Sequence, residues 1–259
     1  MAQLETFRDA VNSGNTFAGL KVKLTKDIEL KDSWTPIGEG NRAVQANNTS
    51  GAGTYFRGSF DGQQHTIKNL NNKNFVPSTN RYDSDKGYAY GLFALVGDGA
   101  SIKDLKLTDV NIDTSINNNK GDSVAALVGY AEGAVTISGI EVSGSVKAFD
   151  GVAGVVGRAY IAKGTEGTKV VYNVSVTDCK NNANVEALDK AGGKAAGIIG
   201  IAADQSSNGY NELHLTVTGC ENSGEIITYA TNPNGGDVKL VAYVTISNNH
   251  GRTSTYTHD

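Results

Sequence analysis

The chain is poor in the residues that cross-link, break or anchor a fold: among 259 residues it holds 3 prolines, 2 cysteines, 1 methionine and 1 tryptophan. So little proline excludes a proline-rich linker or a collagen-like rod. Two cysteines, Cys179 and Cys220, are too few for a disulfide scaffold and lack the close spacing of a zinc knuckle. Charge is also scarce, at 19% of residues with a net charge of -4. No basic field exists to hold a phosphate backbone or an anionic membrane, which argues against nucleic acid as a partner. No apolar run approaches the roughly 18 residues of a spanning helix, so membrane insertion is not expected. The segment after Met1, AQLETFRDAVNSG, carries early charge and no apolar stretch of a leader peptide. From these residues alone the chain is either cytosolic or starts after a removed leader. No motif asks for a cofactor or a metal.

Glycine, by contrast, is abundant at 32 residues, which suits many tight corners in a regular β structure. A glycine-flanked apolar segment occurs four times: GLFALVG from Gly91, VAALVG from Val124, GVAGVVG from Gly151 and AGIIG from Ala196. Each is followed by an alternating strand, LKLTDV from Leu105, IEVSGS from Ile140, VSVTDC from Val174 and LTVTGC from Leu215. The spacing of 34–41 residues lies in the range of repeat proteins. Apolar residues alternate with period 2 in short pieces bounded by Gly, Asn, Asp and Ser, which favours strands over helical repeats. Rungs of such strands stacked on one another bury their inward side chains in one continuous core. Aligning the first strand residues predicts that Leu105, Ile140, Val174 and Leu215 stack, and likewise Leu107, Val142, Val176 and Val217. The same alignment sets Cys179 and Cys220 on neighbouring rungs, as buried thiols in a stack in preference to a disulfide or metal site. Each is followed by an Asn suited to a left-handed corner and to side-chain hydrogen bonds with the backbone.

Before the repeats, Leu4, Phe7 and Val11 have helical spacing and Ser13-Gly14 ends the pattern, which predicts a short amphipathic helix covering the first rung. LKVKLTKDIEL from Leu20 reads as the first strands. After them GEGNRAVQANNTSGAGTY from Gly38 reads as a flexible insertion. The whole chain is expected to be one domain, with a helical cap at 1–14, rungs over 20–230, and a C-terminal cap strand and polar tail over 237–259.

The order of motifs carries a resemblance. VNSGNTFAGLKVKLTKDIEL, SWTPIG, FRGSFDGQQHTIKNL, YGLFALVG, TISGIEVSGSV and TDCKNNANV together resemble bacterial surface proteins with GLUG-type repeats, many of them from gut Bacteroidetes and Firmicutes. The resemblance covers roughly Leu4 to Ile226 and stops short of DVKLVAYVTISNNHGRTSTYTHD. It implies an all-β, right-handed parallel β-helix with a short N-terminal helical cap. It also implies an extracellular or cell-surface, adhesin-like role without a catalytic centre.

Candidates for chemistry are few. Asp61 and His65 in FRGSFDGQQHTIKNL have a spacing of interest for hydrolysis, yet Asp-Gly is a turn signal. His65 shares the parity of Ile67, which points it inward as a structural histidine. No tight carboxylate pair of the kind used by polysaccharide-cleaving enzymes is legible, and Asp104, Asp109, Asp113 and Asp178 fall at strand ends or turns. Site residues are therefore sought in binding. NNKNFVPSTNRYDSDKGYAYG from Asn71 offers Arg81, Tyr82, Tyr88 and Tyr90, aromatic and polar groups of the kind that stack on and hydrogen-bond a sugar. Segments 160–168 and 208–211 are weaker candidates of the same sort. Thr108, Thr177 and Thr218, interrupted by Ser143, form a poor row for ordering water or binding ice. The functional expectation is non-catalytic binding to a glycan or host surface protein, with a carbohydrate-active enzyme or a rigid spacer as rivals.

Overall fold

The structure is a computed structural model that describes residues 1–38, 53–73, 89–115, 123–161, 167–168, 170–190, 193–204, 211–229, 244–246 and 256–258. Its strands are paired in parallel throughout and wind into a β-solenoid of about 4 turns, with one short helix at the N-terminus. Each turn has three parts. A short strand such as Ser123–Ala125 joins a four-stranded sheet, the next, such as Val128–Glu132, joins a five-stranded sheet, and a long bent strand such as Val135–Ala148 joins a twelve-stranded sheet. The glycine-flanked segments supply the two short sheets, and the alternating segments supply the long one.

Columns of like side chains hold the turns together. Along the long sheet Val22, Phe60, Ile102, Ile137, Val176 and Val217 follow one another in register. Phe60, Ile102, Ile137 and Val176 are fully buried. At roughly 1.5–3 kcal/mol for each buried aliphatic or aromatic side chain, such a column is a main source of cohesion between turns. Each turn alone would leave its apolar row exposed.

The bend in the long sheet is itself a column. Asp104, Gly139, Asp178 and Gly219 all adopt left-handed backbone conformations, with φ of 54°, 61°, 53° and 60°, a region that Asp and Gly enter more easily than most residues. Each is followed by an inward residue: Leu105, Ile140, Cys179 and Cys220. This corner corrects the register expected above. Ile140 lies over Leu105 and Val174 beside Leu215 as anticipated, but Val174 pairs with Val135 and Val176 with Ile137. Ile140 instead precedes the Glu141–Lys180 pair and so aligns with Cys179. What aligns is the corner, Ser138-Gly139-Ile140 with Thr177-Asp178-Cys179, because alternation restarts after each left-handed residue.

Glycine in the short sheets meets a different demand. A Cβ on Gly129 would come within 2.5 Å of the Tyr90 backbone nitrogen and 2.7 Å of the Ser123 carbonyl oxygen. The two short sheets approach too closely there for any side chain.

At the front, helix α1 (Ala2–Asn12) buries Leu4, Phe7 and Val11, as the spacing predicted. The Phe7 ring meets Phe17 and Phe56 edge-on and stacks on Phe60 at 5.9 Å, so the helix seals the apolar interior of the first turn. At the back, the backbones of Val244–Ile246 and Tyr256–His258 add to the five-stranded and long sheets.

Candidate functional site

Of the four binding residues read from the sequence, Tyr90 lies among the described residues. Arg81, Tyr82 and Tyr88 lie outside the described residues, as does the insertion at 39–52. Tyr90 is a core residue, which corrects its assignment to a sugar-stacking surface. It is completely buried, paired with Val124 in the four-stranded sheet, and its hydroxyl donates to the Trp34 carbonyl at 2.7 Å. The Trp34 indole in turn donates to the Leu92 carbonyl at 3.0 Å. Tyr90 sits where the glycine-flanked segment has already entered the solenoid, so its ring fills the interior and its hydroxyl is satisfied there. Of the weaker candidates, Tyr160 packs on buried Tyr130 at a centroid distance of 5.5 Å, and the Asn211 amide oxygen accepts from the Val170 N–H at 3.2 Å.

The Asp61–His65 stretch is a corner. Asp61 is nearly buried and accepts a hydrogen bond from the Gln63 N–H at 3.0 Å, while Gln63 and Gln64 make the turn at φ of 52° and 62°. His65 does not point inward: it closes the turn, its N–H donating to the Gly62 carbonyl at 2.8 Å, and so lies just before the alternation of Thr66–Lys68 that buries Ile67, with its Nδ1 3.0 Å from Asp27 Oδ1 near the surface. The corner does assemble one cluster that spacing did not announce. Lys103 Nζ lies 2.8 Å from Asp104 and 3.4 Å from Asp61. Burial pushes the Asp61 carboxyl up, but hydrogen bonds from Gln63 and Lys103 outweigh it and hold it below the usual carboxylate range. Contact with Asp104 and Asp61 raises Lys103. A glycosidic general acid needs a carboxyl held protonated, and Asp61 is held ionised. The cluster is an ion triad of one ammonium between two carboxylates.

The outer surfaces of the three sheets differ sharply. On the five-stranded sheet the outward column Leu95, Tyr130, Arg158 and Ile201 is covered, each residue no more than 4% exposed. Described residues of the four-stranded sheet are buried throughout. The long sheet alone presents an open outer face among the described residues, and polar ladders line it. Lys106, Glu141, Lys180 and Glu221 alternate in charge along one column, with Lys106–Glu141 at 3.4 Å and Lys180–Glu221 at 3.1 Å. On the inner side of the same half, Asn181 and Asn222 continue the column of Leu107 and Val142. Asn181 is fully buried; its amide nitrogen donates to Asn222 Oδ1 at 2.7 Å and to the Ala183 carbonyl at 2.9 Å. The side-chain bonds to backbone anticipated for these asparagines are present, although neither adopts a left-handed conformation.

On the other half of the long sheet hydroxyls form two outward columns. One column runs Ser59, Ser101, Thr136, Ser175 and Thr216; a second runs Ser138, Thr177 and Thr218, beginning beyond Asp61 and Lys103. These replace the row Thr108, Thr177, Thr218: Thr177 and Thr218 do pair, but Ser138 precedes them, and Thr108 lies beyond the corner beside Lys68. The hydroxyls are partly or fully exposed, and none has a side-chain hydrogen bond to another described residue. Rung spacing and strand rise set them on a grid of about 4.8 Å by about 6.7 Å. The signal was in the sequence as TIS, SVT and TVT, each placed just before a corner residue, and it became legible only once the corners were aligned. Tyr229 was also missed; it is 48% exposed and its hydroxyl donates to Glu186 at 3.2 Å.

Comparison of the chain with protein-family models, with curated proteins and with solved structures finds no match. What the described residues define on their own terms is a parallel β-solenoid whose long sheet carries an open polar face. Among the described residues no helix is long and apolar enough to cross a membrane.

Proposed function

We propose that the chain is a non-catalytic, adhesin-like module of a bacterial cell-surface or secreted protein of the GLUG-repeat kind, and that it binds a glycan through the hydroxyl rows of the long sheet. The observation that carries this is the contrast between ladders. Lys106–Glu141 and Lys180–Glu221 engage each other, and Asn181 engages Asn222, whereas the hydroxyls of Thr136, Ser138, Ser175, Thr177, Thr216 and Thr218 have no described side-chain partner. Groups that are both donor and acceptor, repeated at a fixed interval on a rigid sheet, suit a polymer whose own hydroxyls recur along its length. A flat strand face also holds them without an ordering cost on binding.

The corrected register favours a second use of the same rows. With Ser138 in place of the expected interruption, the paired rows form a small regular array able to order water, so binding of ice is the rival for this face. Measurement of thermal hysteresis and ice recrystallisation tests it directly: crystals growing as they do in buffer exclude it.

The primary reading is tested by incubating the protein with a panel of host glycans and microbial polysaccharides, reading retention and chain length in the same samples. Wild type is compared with a Thr136→Val, Thr177→Val, Thr216→Val variant, which keeps β-branched side chains and removes only hydroxyls, and with Tyr82→Ala. Retention lost by the triple variant with chain length unchanged supports the proposal. Loss confined to Tyr82→Ala moves the site to the 74–88 segment, shortened chains favour a polysaccharide-active enzyme, and silence throughout favours a spacer.

A further inference from the structure

Cys179 and Cys220 occupy the same column on consecutive turns. Lys180 and Asn181 pair in register with Glu221 and Asn222, and the Glu221 N–H donates to the Cys179 carbonyl at 2.8 Å. The two cysteines are thus direct neighbours across a rung step, and neither is in a disulfide. Their sulfurs are in local contact with the same backbone: the Cys179 N–H donates to Cys220 Sγ at 3.4 Å, Cys179 Sγ to the Thr177 carbonyl at 3.2 Å, and Cys220 Sγ to the Val176 carbonyl at 3.5 Å. A rung step of about 4.8 Å lies inside the Cα separation of roughly 4.4–6.8 Å that a disulfide spans. Exposure differs between them: Cys179 is buried and Cys220 only partly so.

We propose that Cys179 and Cys220 are a reversible disulfide site that staples the turn of Val171–Thr177 to the turn of Glu212–Thr218, formed by exchange with a small-molecule disulfide such as oxidised glutathione. The partly exposed Cys220, as its thiolate, attacks one sulfur of the oxidant, breaking its S–S bond and releasing one glutathione thiolate, which takes up the proton that Cys220 gave. Cys179 then loses its proton and attacks the Cys220 sulfur of the mixed disulfide, expelling the second glutathione. Two protein thiols and one glutathione disulfide become one protein disulfide and two glutathione thiols, so atoms and electrons balance. The thiol–thiol contact with Cys220 and then burial push the Cys179 thiol above its ordinary range, so the second step is the slow one and proceeds because the sulfurs are held together. The left-handed residues Asp178 and Gly219, directly before each cysteine, place the bond at the corner, where the two halves of the long sheet meet.

The test is incubation of the native chain with oxidised glutathione, followed by intact mass, thiol count after denaturation, and peptide mapping, with Cys179→Ser and Cys220→Ser as controls. Expected are a loss of two hydrogens, a cross-linked peptide pair, reversal by dithiothreitol, and an unfolding midpoint raised by roughly 10 °C in the oxidised form. Cys179→Ser is expected to stop at the glutathione adduct on Cys220. A wild-type chain that keeps two thiols, that stops at the adduct, or that forms the bond without any rise in midpoint overturns the proposal.

Discussion

The Asp104 carboxylate lies over Gly139 of the next turn, with Oδ1 2.9 Å from where a Cβ on that glycine would stand. Both residues are left-handed, and the pairing of Asp below Gly recurs with Asp178 and Gly219. Gly139→Ala brings a backbone penalty and a contact with a side chain that can swing aside. Its expected cost is about 1–2 kcal/mol, measured by chemical denaturation with an unchanged slope.

Gly129→Ala is a sharper case, because its Cβ would meet the backbone of Tyr90 and Ser123 and not a movable side chain. The sheets must part to admit it. A loss of about 3 kcal/mol or more is expected, and denaturation of the two variants side by side should rank Gly129→Ala as the more damaging.

Register on the outer face is tested by charge. Glu141 stands between Lys106 and Lys180 in the ladder, so Glu141→Lys sets three ammonium groups in a row. These side chains are about half exposed, and the expected loss is accordingly modest, about 0.5–1 kcal/mol, shrinking as salt is added. A salt-independent change would point to a different alignment.

Acid stability follows from Asp61. Its folded-state carboxyl is held below the usual value by Gln63 and Lys103 against the cost of burial, so its contribution is present above about pH 4 and is lost as the pH falls through the lower folded-state value. Asp61→Asn is expected to cost about 1 kcal/mol near neutrality. In unfolding midpoints taken from pH 7 down to pH 2, the gap between wild type and the variant should narrow only below pH 4.

The fold was readable because period-2 alternation and glycine-flanked segments are local signals, and the helix because Leu4, Phe7 and Val11 share one face. Register was only half readable. Counting from Val174 as the first apolar residue placed it over Ile140, whereas the left-handed corners at Gly139 and Asp178 decide the stacking; the shared Ser-Gly, Thr-Asp and Thr-Gly steps are the cue that carries it. Tyr90 was misplaced for a related reason: an aromatic beside a polar run looks like a loop residue until its strand partner Val124 is known. His65 turned outward because the turn through Gln63 and Gln64 extends to it and strand alternation begins only at Thr66, and left-handed glutamines do not advertise such a turn. The Lys103 triad and the hydroxyl rows join residues from different turns, so no window of sequence contains them.

The most direct test of the account is retention on the polysaccharide panel by wild type and by the Thr136→Val, Thr177→Val, Thr216→Val variant, after circular dichroism has matched their folds. At least one glycan is expected that wild type retains, unshortened, and that the variant binds tenfold or more weakly. Equal retention by both proteins would contradict it, since the hydroxyl rows would then contribute nothing to binding.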